Sequence, residues 1–459
     1  MSKERETTLA SKIIFVLFAV CLVATALAYG TVHQPTIALF YLAAALILVL
    51  WAVDALQTGA FRFHRSLLQL PVIGAALYAF IQSIPFGTLA ETAGVAGIPR
   101  TLSLEPFWSQ MFALHFFALF VIFAASLTFF DSAARLKKMS AVIAVFGFVF
   151  AFFAILQGVL SPSKIYGLYE APFAQPYGSF VNRHNFAAYM EMTIAVPLGF
   201  LFAGAVPRDK RLLYATAVGL MGVALILSGS RGGLVALLAQ VFFLVITTSK
   251  AKSTNQWALK IGLAVLLVAT IVVGAVSIGG ESSLTRLAET AASNDITTNR
   301  TEIWRVSARV IKENFPFGAG IGAFAAAYTP FDASNGTARV EQAHNDYLQI
   351  LADAGLVGLA LAAFFIYGLF RTGLANAKTD NLFRRGLATG ALAGCFGILV
   401  HSLFDFVLHT TAVSVLFLTL VALLVASGRR YADDEQVYER RRSRASVTPI
   451  EHKRKSKEN

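Results

Sequence analysis

Charge is what this sequence lacks most. Only 14% of its 459 residues are Asp, Glu, Lys or Arg, against roughly a quarter in a soluble domain. Hydrophobic residues make up 56%, which excludes a cytosolic enzyme carried on a single anchor, because too little polar chain remains to cover a soluble fold. Cysteine is equally scarce. Cys21 and Cys395 both fall inside apolar runs, so neither a disulfide framework nor a thiolate zinc site can be built. No Asp-x-Asp pair occurs, and no His or Cys residues stand at metal-ligand spacing; a metal-bound nucleotide-sugar mechanism is disfavoured, and no metal or cofactor is expected. Acids are outnumbered 26 to 38 by Lys and Arg, giving a net charge of +12. That surplus follows topology and gives no ground for a nucleic-acid partner.

What is abundant is apolar chain of membrane-spanning length. Runs lie at 12–28, 35–53, 67–84, 108–130, 141–159 and 186–206, then at 212–227, 234–247, 258–278, 347–370, 386–409 and 412–426. They predict an all-α fold, a polytopic transmembrane helical bundle of about 12 spans with little soluble chain beside it. Basic residues cluster in alternate connections: Lys3, Arg5 and Lys12; Arg62 and Arg65; Arg135, Lys137 and Lys138; Arg208, Lys210 and Arg211; and the tail after Ser427. The positive-inside rule then sets both termini in the cytoplasm. The alternative start, a cleavable signal peptide ending near Ala26-Leu27-Ala28, would leave the outer loops unchanged. Four regions result: spans one to nine over 1–278, a large helical outer loop over 279–345, spans ten to twelve over 346–427, and a basic tail over 428–459 that is expected to touch anionic lipid.

Chemistry concentrates in the outer segments. Asn299-Arg300-Thr301-Glu302 has capping-box spacing for a helix running to Phe315, before Pro316, and it sets Arg300 in the first turn. Arg305 can pair with Glu302, but Arg300 has Trp304 at i+4 and no acid there. Leu227-Ser228-Gly229-Ser230-Arg231-Gly232-Gly233 is a tight outer turn that opens the eighth span. It sets an arginine at headgroup depth beside backbone N–H groups suited to an anion; the plain alternative is a snorkelling arginine. His344-Asn345-Asp346 opens the tenth span and Asn182-Arg183-His184-Asn185 the sixth, each readable as a polar cap or as a substrate contact. Several anion-seeking groups thus converge at outward helix N-termini. The glycine-rich Pro316-Phe317-Gly318-Ala319-Gly320-Ile321-Gly322 follows no strand, so it is a weak nucleotide loop. Glu191, Asp353, His401 and Asp405 fall within spans and read as helix-to-helix polar pairs, with a proton path as the sharper use.

Three of these motifs together resemble the O-antigen ligase and O-antigen polymerase superfamily: Ser230-Arg231-Gly232-Gly233; Arg300-Thr301-Glu302-Ile303-Trp304 leading to Pro316-Phe317-Gly318-Ala319-Gly320; and His344-Asn345-Asp346-Tyr347-Leu348 before Ala352-Asp353-Ala354-Gly355. The Asn182-Arg183-His184-Asn185 stretch is similar to another recurrent segment, and the likeness covers mainly 170–370. The resemblance implies a metal-independent, inverting glycosyltransferase of the GT-C type in a bacterial inner membrane. Its donor would be an undecaprenyl-diphosphate-linked glycan, and its acceptor lipid A-core or another glycan at the periplasmic face. By the same resemblance, Arg231 and Arg300, with Arg305 as a less secure neighbour, match the diphosphate-holding arginines, and His344 matches the base. Asn182, Arg183, His184, Asn345 and Trp304 become substrate-binding candidates. Ligation, polymerisation and protein O-glycosylation share these motifs. A transporter of lipid-linked glycan or a small anion would use the same arginines, but it predicts internal repeats that the sequence does not display.

Overall fold

The computed structural model describes residues 7–89, 94–171, 174–248, 300–333 and 339–429, with isolated positions between 261 and 273. The expected span at 258–278, the outer-loop segment 279–299 and the basic tail lie wholly or almost wholly outside the described residues. The rest is helical: α1 (Leu9–Leu27), α2 (Gln34–Thr58), α3 (Gln69–Gln82), α4 (Pro106–Phe129), α5 (Ala133–Leu160), α6 (Arg183–Phe202), α7 (Arg211–Leu227), α8 (Arg231–Thr248), α9 (Arg300–Glu313), α10 (Phe324–Tyr328), α11 (Asp346–Asn376), α12 (Leu382–His401) and α13 (Thr411–Ser427). Among the described residues, the one sheet is a two-residue ribbon pairing Lys164–Ile165 with Tyr169–Glu170. Among the described residues nine helices are long and apolar enough to cross a membrane, and α3 and α13 are shorter apolar helices. The protein is an all-α, multi-pass membrane bundle.

Helices α6, α12 and α13 form its centre. They are buried nearly all round, whereas α2 and α5 turn leucines, valines and phenylalanines outward, as the lipid-facing shell of a bundle requires. The α6–α12 crossing is made by small residues. Gly386, Gly390 and Gly394 recur at i+4 on α12, and a Cβ on Gly199 of α6 would lie 2.3 Å from the Cα of Gly390. Only glycine lets the two backbones approach this closely. At the end of the bundle holding the α6 C-terminus, ionisable groups are paired: Arg62 with Asp54, and Arg135 with Asp131 at 3.1 Å and with Ser11 Oγ at 2.7 Å. Pairing is what partly buried charge at the end of a span demands.

Two spans differ from their sequence expectation. The run 386–409 is not one helix, because α12 ends at His401 and a non-helical segment with a single 3-10 turn, Val407–His409, leads to α13. Asp405 and His409 therefore lie outside any membrane-spanning helix. The tenth span is broken at Gly355, where φ is 55° and ψ −142°. The glycine-rich loop fills the break, with Ala319 N–H donating to the Ala352 carbonyl at 2.7 Å, Gly320 N–H to that of Asp353 at 3.0 Å, and Leu356 N–H to that of Pro316 at 2.9 Å. Gln82 ties both strands of this clasp, donating from Nε2 to the carbonyls of Phe317 and Asp353 and accepting from Ile321 N–H, each at 3.0 Å. The glycines thus serve backbone contact and the carbonyls freed by the break find donors, as an interrupted span requires. A Cβ on Gly355 would lie 2.0 Å from the Pro316 carbonyl oxygen. Gly355→Ala is expected to cost about 2 kcal/mol or more. Gly219→Ala, in α7 with nothing within 4 Å of the added Cβ, should be neutral or stabilising by up to about 1 kcal/mol. Unfolding midpoints in detergent compare the two, and equal midpoints would contradict the clasp.

Candidate functional site

Four helix starts meet at the other end of the bundle. Asn182 caps α6, its Oδ1 accepting from His184 N–H at 2.8 Å. α8 opens on Arg231, and α9 opens on Arg300. Asn345 caps α11, its Oδ1 accepting from the N–H groups of Tyr347 and Leu348 at 2.9 and 3.0 Å. The starts of α6, α8 and α11 each follow from a short polar side chain or a tight turn ahead of an apolar run.

What joins three of them is Asp405, a carboxylate on the segment between α12 and α13. Its Oδ1 contacts His344 Nδ1 at 3.1 Å and its Oδ2 contacts Arg300 Nη2 at 3.2 Å and His184 Nδ1 at 3.6 Å. Arg300 also donates to the Phe404 carbonyl, and Asn345 Nδ2 donates to that of Leu403 at 2.9 Å. Burial alone would raise the Asp405 pKa, but the hydrogen bond from His344 and the neighbouring His184 and Arg300 reverse this and hold the carboxyl well below the ordinary aspartate range. A carboxylate on Nδ1 fixes the imidazole tautomer and leaves Nε2 able to accept a proton. His344 is also held in the left-handed region at φ 49°, a conformation that costs about 1–3 kcal/mol in a residue with a side chain. Its ring packs edge-on against Phe406, with centroids 4.8 Å apart, and its side chain keeps 33% exposure.

The turn before α8 reaches the same cluster. Ser230 Oγ lies 2.9 Å from His184 Nδ1 and accepts from Gly233 N–H at 3.2 Å. The glycines here were expected to offer N–H groups to an anion, but they serve close packing. A Cβ on Gly232 would lie 2.7 Å from His401 Cδ2, and one on Gly233 would lie 2.7 Å from the Cβ of Ala187. Arg231 stands exposed at the first position of α8. Trp304, one turn into α9, carries an indole N–H that is shut off from solvent and meets no acceptor among the described residues. Arg305 sits apart on an exposed face, paired with Glu302. Arg183, next to His184 in the chain, lines a separate cavity beside the Asp405 cluster.

One further set of contacts went unread in the sequence. Asp346 receives Ser402 Oγ at 2.7 Å and pairs with His409 Nδ1 at 3.1 Å, tying the start of α11 to the segment that carries Asp405. The fully buried pair of His401 Nδ1 and Glu191 Oε2, 3.0 Å apart, is the interhelical contact expected of those two. Length gave no signal for Asp405, since a run over 386–409 is no longer than the single helices α2 and α5.

Residues 216–363 match the family model described as O-antigen ligase, a likeness that supports the resemblance to the O-antigen ligase and polymerase superfamily carried by the motifs. The matched stretch takes in Arg231, Arg300, Trp304, Arg305, His344 and Asn345, whereas the 182–185 segment and Asp405 lie outside it. No curated protein matches the chain.

Asp405 has a lowered pKa in the folded protein, so its contribution to stability is present above the unfolded value, about 3.9 for aspartate, and disappears only as pH falls through the depressed folded value. Asp405→Asn should therefore melt below wild type at pH 7, with the gap closing in strong acid. Melting curves from pH 7 downward check this, and a gap independent of pH would contradict the charge role.

Proposed function

We propose that this protein is a bacterial inner-membrane glycosyltransferase that moves a glycan from an undecaprenyl-diphosphate-linked donor to an acceptor hydroxyl at the periplasmic face. The favoured acceptor is lipid A-core, the reaction of an O-antigen ligase. The observation that carries this reading is the arrangement around Asp405: a histidine with its Nδ1 engaged and its Nε2 open, beside an arginine and an adjacent arginine-bearing helix start, within a chain matched to that family.

In this reading Nε2 of His344 takes the proton from the acceptor hydroxyl as its oxygen bonds to the anomeric carbon. The bond from that carbon to the diphosphate oxygen breaks, and the leaving diphosphate carries its charge onto Arg231 and Arg300. One displacement inverts the anomeric centre, and the imidazolium returns its proton to solvent. Asp405 stabilises the charged ring as it forms and holds the Arg300 fork ready for phosphate oxygens. Trp304 adds an indole donor nearby, and Arg305 is a more distant cation. The polyprenyl tail would lie along a mainly apolar groove of about 280 Å³ whose walls include Val72, Phe116, Ile350, Leu361 and Phe365, and which rises to Asp346 and His409 at its polar end. The alternation of basic segments supports cytoplasmic termini, with the 300–345 elements outside.

The test is transfer by purified protein in vesicles, with lipid-linked donor and lipid A-core acceptor. His344→Gln should bind donor normally and lose transfer by at least about 100-fold, the scale of general-base catalysis. Arg300→Lys, which keeps charge and loses the fork, should also fall strongly. Near-normal turnover by both would remove this mechanism. Elongation of one lipid-linked glycan by another, without lipid A-core, would identify a polymerase instead.

A further inference from the structure

The last residue of α12 is tied to α6 inside the bundle. His401 Nδ1 lies 3.0 Å from Glu191 Oε2, and neither side chain is exposed. Glu191 follows His184 on α6 by about two helical turns, so the two share one face of that helix. Both meet the end of α12, His184 at Asp405 and Glu191 at His401. A third helix rests on the same ring. A Cβ on Gly232, next to Arg231 at the start of α8, would lie 2.7 Å from His401 Cδ2 and 2.8 Å from Nε2, so the imidazole sets how near that helix start can come.

The backbone of His401 carries the segment that organises the site. Its carbonyl accepts from Phe404 N–H at 2.8 Å and from Asp405 N–H at 3.1 Å. Along the turn that follows, the Ser402 carbonyl accepts from Asp346 N–H at 2.9 Å, that of Leu403 from Asn345 Nδ2 at 2.9 Å, and that of Phe404 from Arg300. A displacement of His401 therefore moves Asp405 together with the groups seated on these carbonyls.

Stability does not account for the pair. Glu191 Oε1 and His401 Nε2 are buried and meet no partner among the described residues, and an unmet buried polar atom is costly. Apolar side chains of similar size would fill the space without that cost, and such replacement of a buried ionisable pair is commonly neutral or stabilising. What apolar packing does not supply is a fixed direction for the ring, which a hydrogen bond to a carboxylate does supply.

We propose that Glu191 and His401 are positioning residues for glycan transfer. Through the end of α12 they set Asp405, and with it His344; through the imidazole they set the start of α8, and with it Arg231. The base and the leaving-group arginine are thereby held at one separation, although neither member of the pair touches substrate. The proposal rests on the glycosyltransferase reading for the reaction that the pair serves.

Replacing both members by apolar residues separates positioning from stability. The Glu191→Leu, His401→Phe double variant of the full-length protein should insert and melt within about 5 °C of wild type. Its kcat should nevertheless fall at least about tenfold, the scale of a misplacement of less than about 1 Å, with the donor KM changed less than about threefold. Glu191→Gln, whose amide oxygen can still accept from the ring, should keep at least about half of the wild-type kcat. Nitrogen NMR of labelled imidazoles reads the same effect without turnover: fewer neutral His344 rings should carry their proton on Nδ1 in the double variant, although neither substituted residue contacts His344. A double variant that fails to fold, one with wild-type kcat, or one with an unchanged His344 spectrum would each overturn the proposal. So would a loss in Glu191→Gln equal to that of the double variant, because charge and not direction would then be what the reaction needs. A His344 spectrum that shifts as expected in a protein whose wild type transfers no glycan would instead count against the glycosyltransferase reading.

Discussion

The site end of the molecule depends on one buried carboxylate. Asp405 is held among groups that come from three distant parts of the chain, His184 on α6, Arg300 on α9 and His344 ahead of α11. A buried carboxylate without partners would be costly, so these contacts are the condition of its burial as well as its result. The same contacts give the three side chains their orientation. Removing the charge would free an arginine and two imidazoles at once, and for that reason the segment between α12 and α13 organises the site although it lies outside the stretch matched to the family.

Backbone proximity makes this convergence possible. The glycine ridge of α12 lets it run against α6, and that crossing brings the end of α12, and hence Asp405, beside the His184 turn. On the opposite side the break at Gly355 admits the 316–322 loop, which follows directly on α9 and carries Arg300 toward the cluster. Two close approaches, one between helices and one between a loop and a broken helix, fix the relative positions of four helix starts. Polar groups then need only short side chains to meet.

Much of this was legible in the sequence. Length and hydropathy predicted the spans, and the described helices correspond to eleven of the twelve expected runs. Polar residues ahead of apolar runs located the capped starts of the sixth and tenth spans, where the structure makes Asn182 and Asn345 the caps, and short-range spacing found the Arg305–Glu302 pair. What could not be read was contact across the chain. Arg300 lacks an acid at i+4, which left it without a visible partner, yet its partner is Asp405, 105 positions away. The helix break at Gly355 was equally hidden, because a glycine within an apolar run fits a packed helix and a broken one alike. Asp405 was assigned to a span because apolar residues surround it in sequence, and only the early end of α12 moves it to the surface layer. Hydrophobic pattern reports burial along one element, and the site is made by groups that several elements bring together.

The central claim is that Asp405 holds His344 in the tautomer that leaves Nε2 ready to accept a proton. Nitrogen NMR of imidazole-labelled protein in lipid, with His344 assigned by its loss in His344→Gln, reads this directly. The account predicts that the neutral His344 ring carries its proton on Nδ1 and leaves Nε2 bare, with that preference lost in Asp405→Asn. A proton on Nε2 and a bare Nδ1 in the wild type would contradict it.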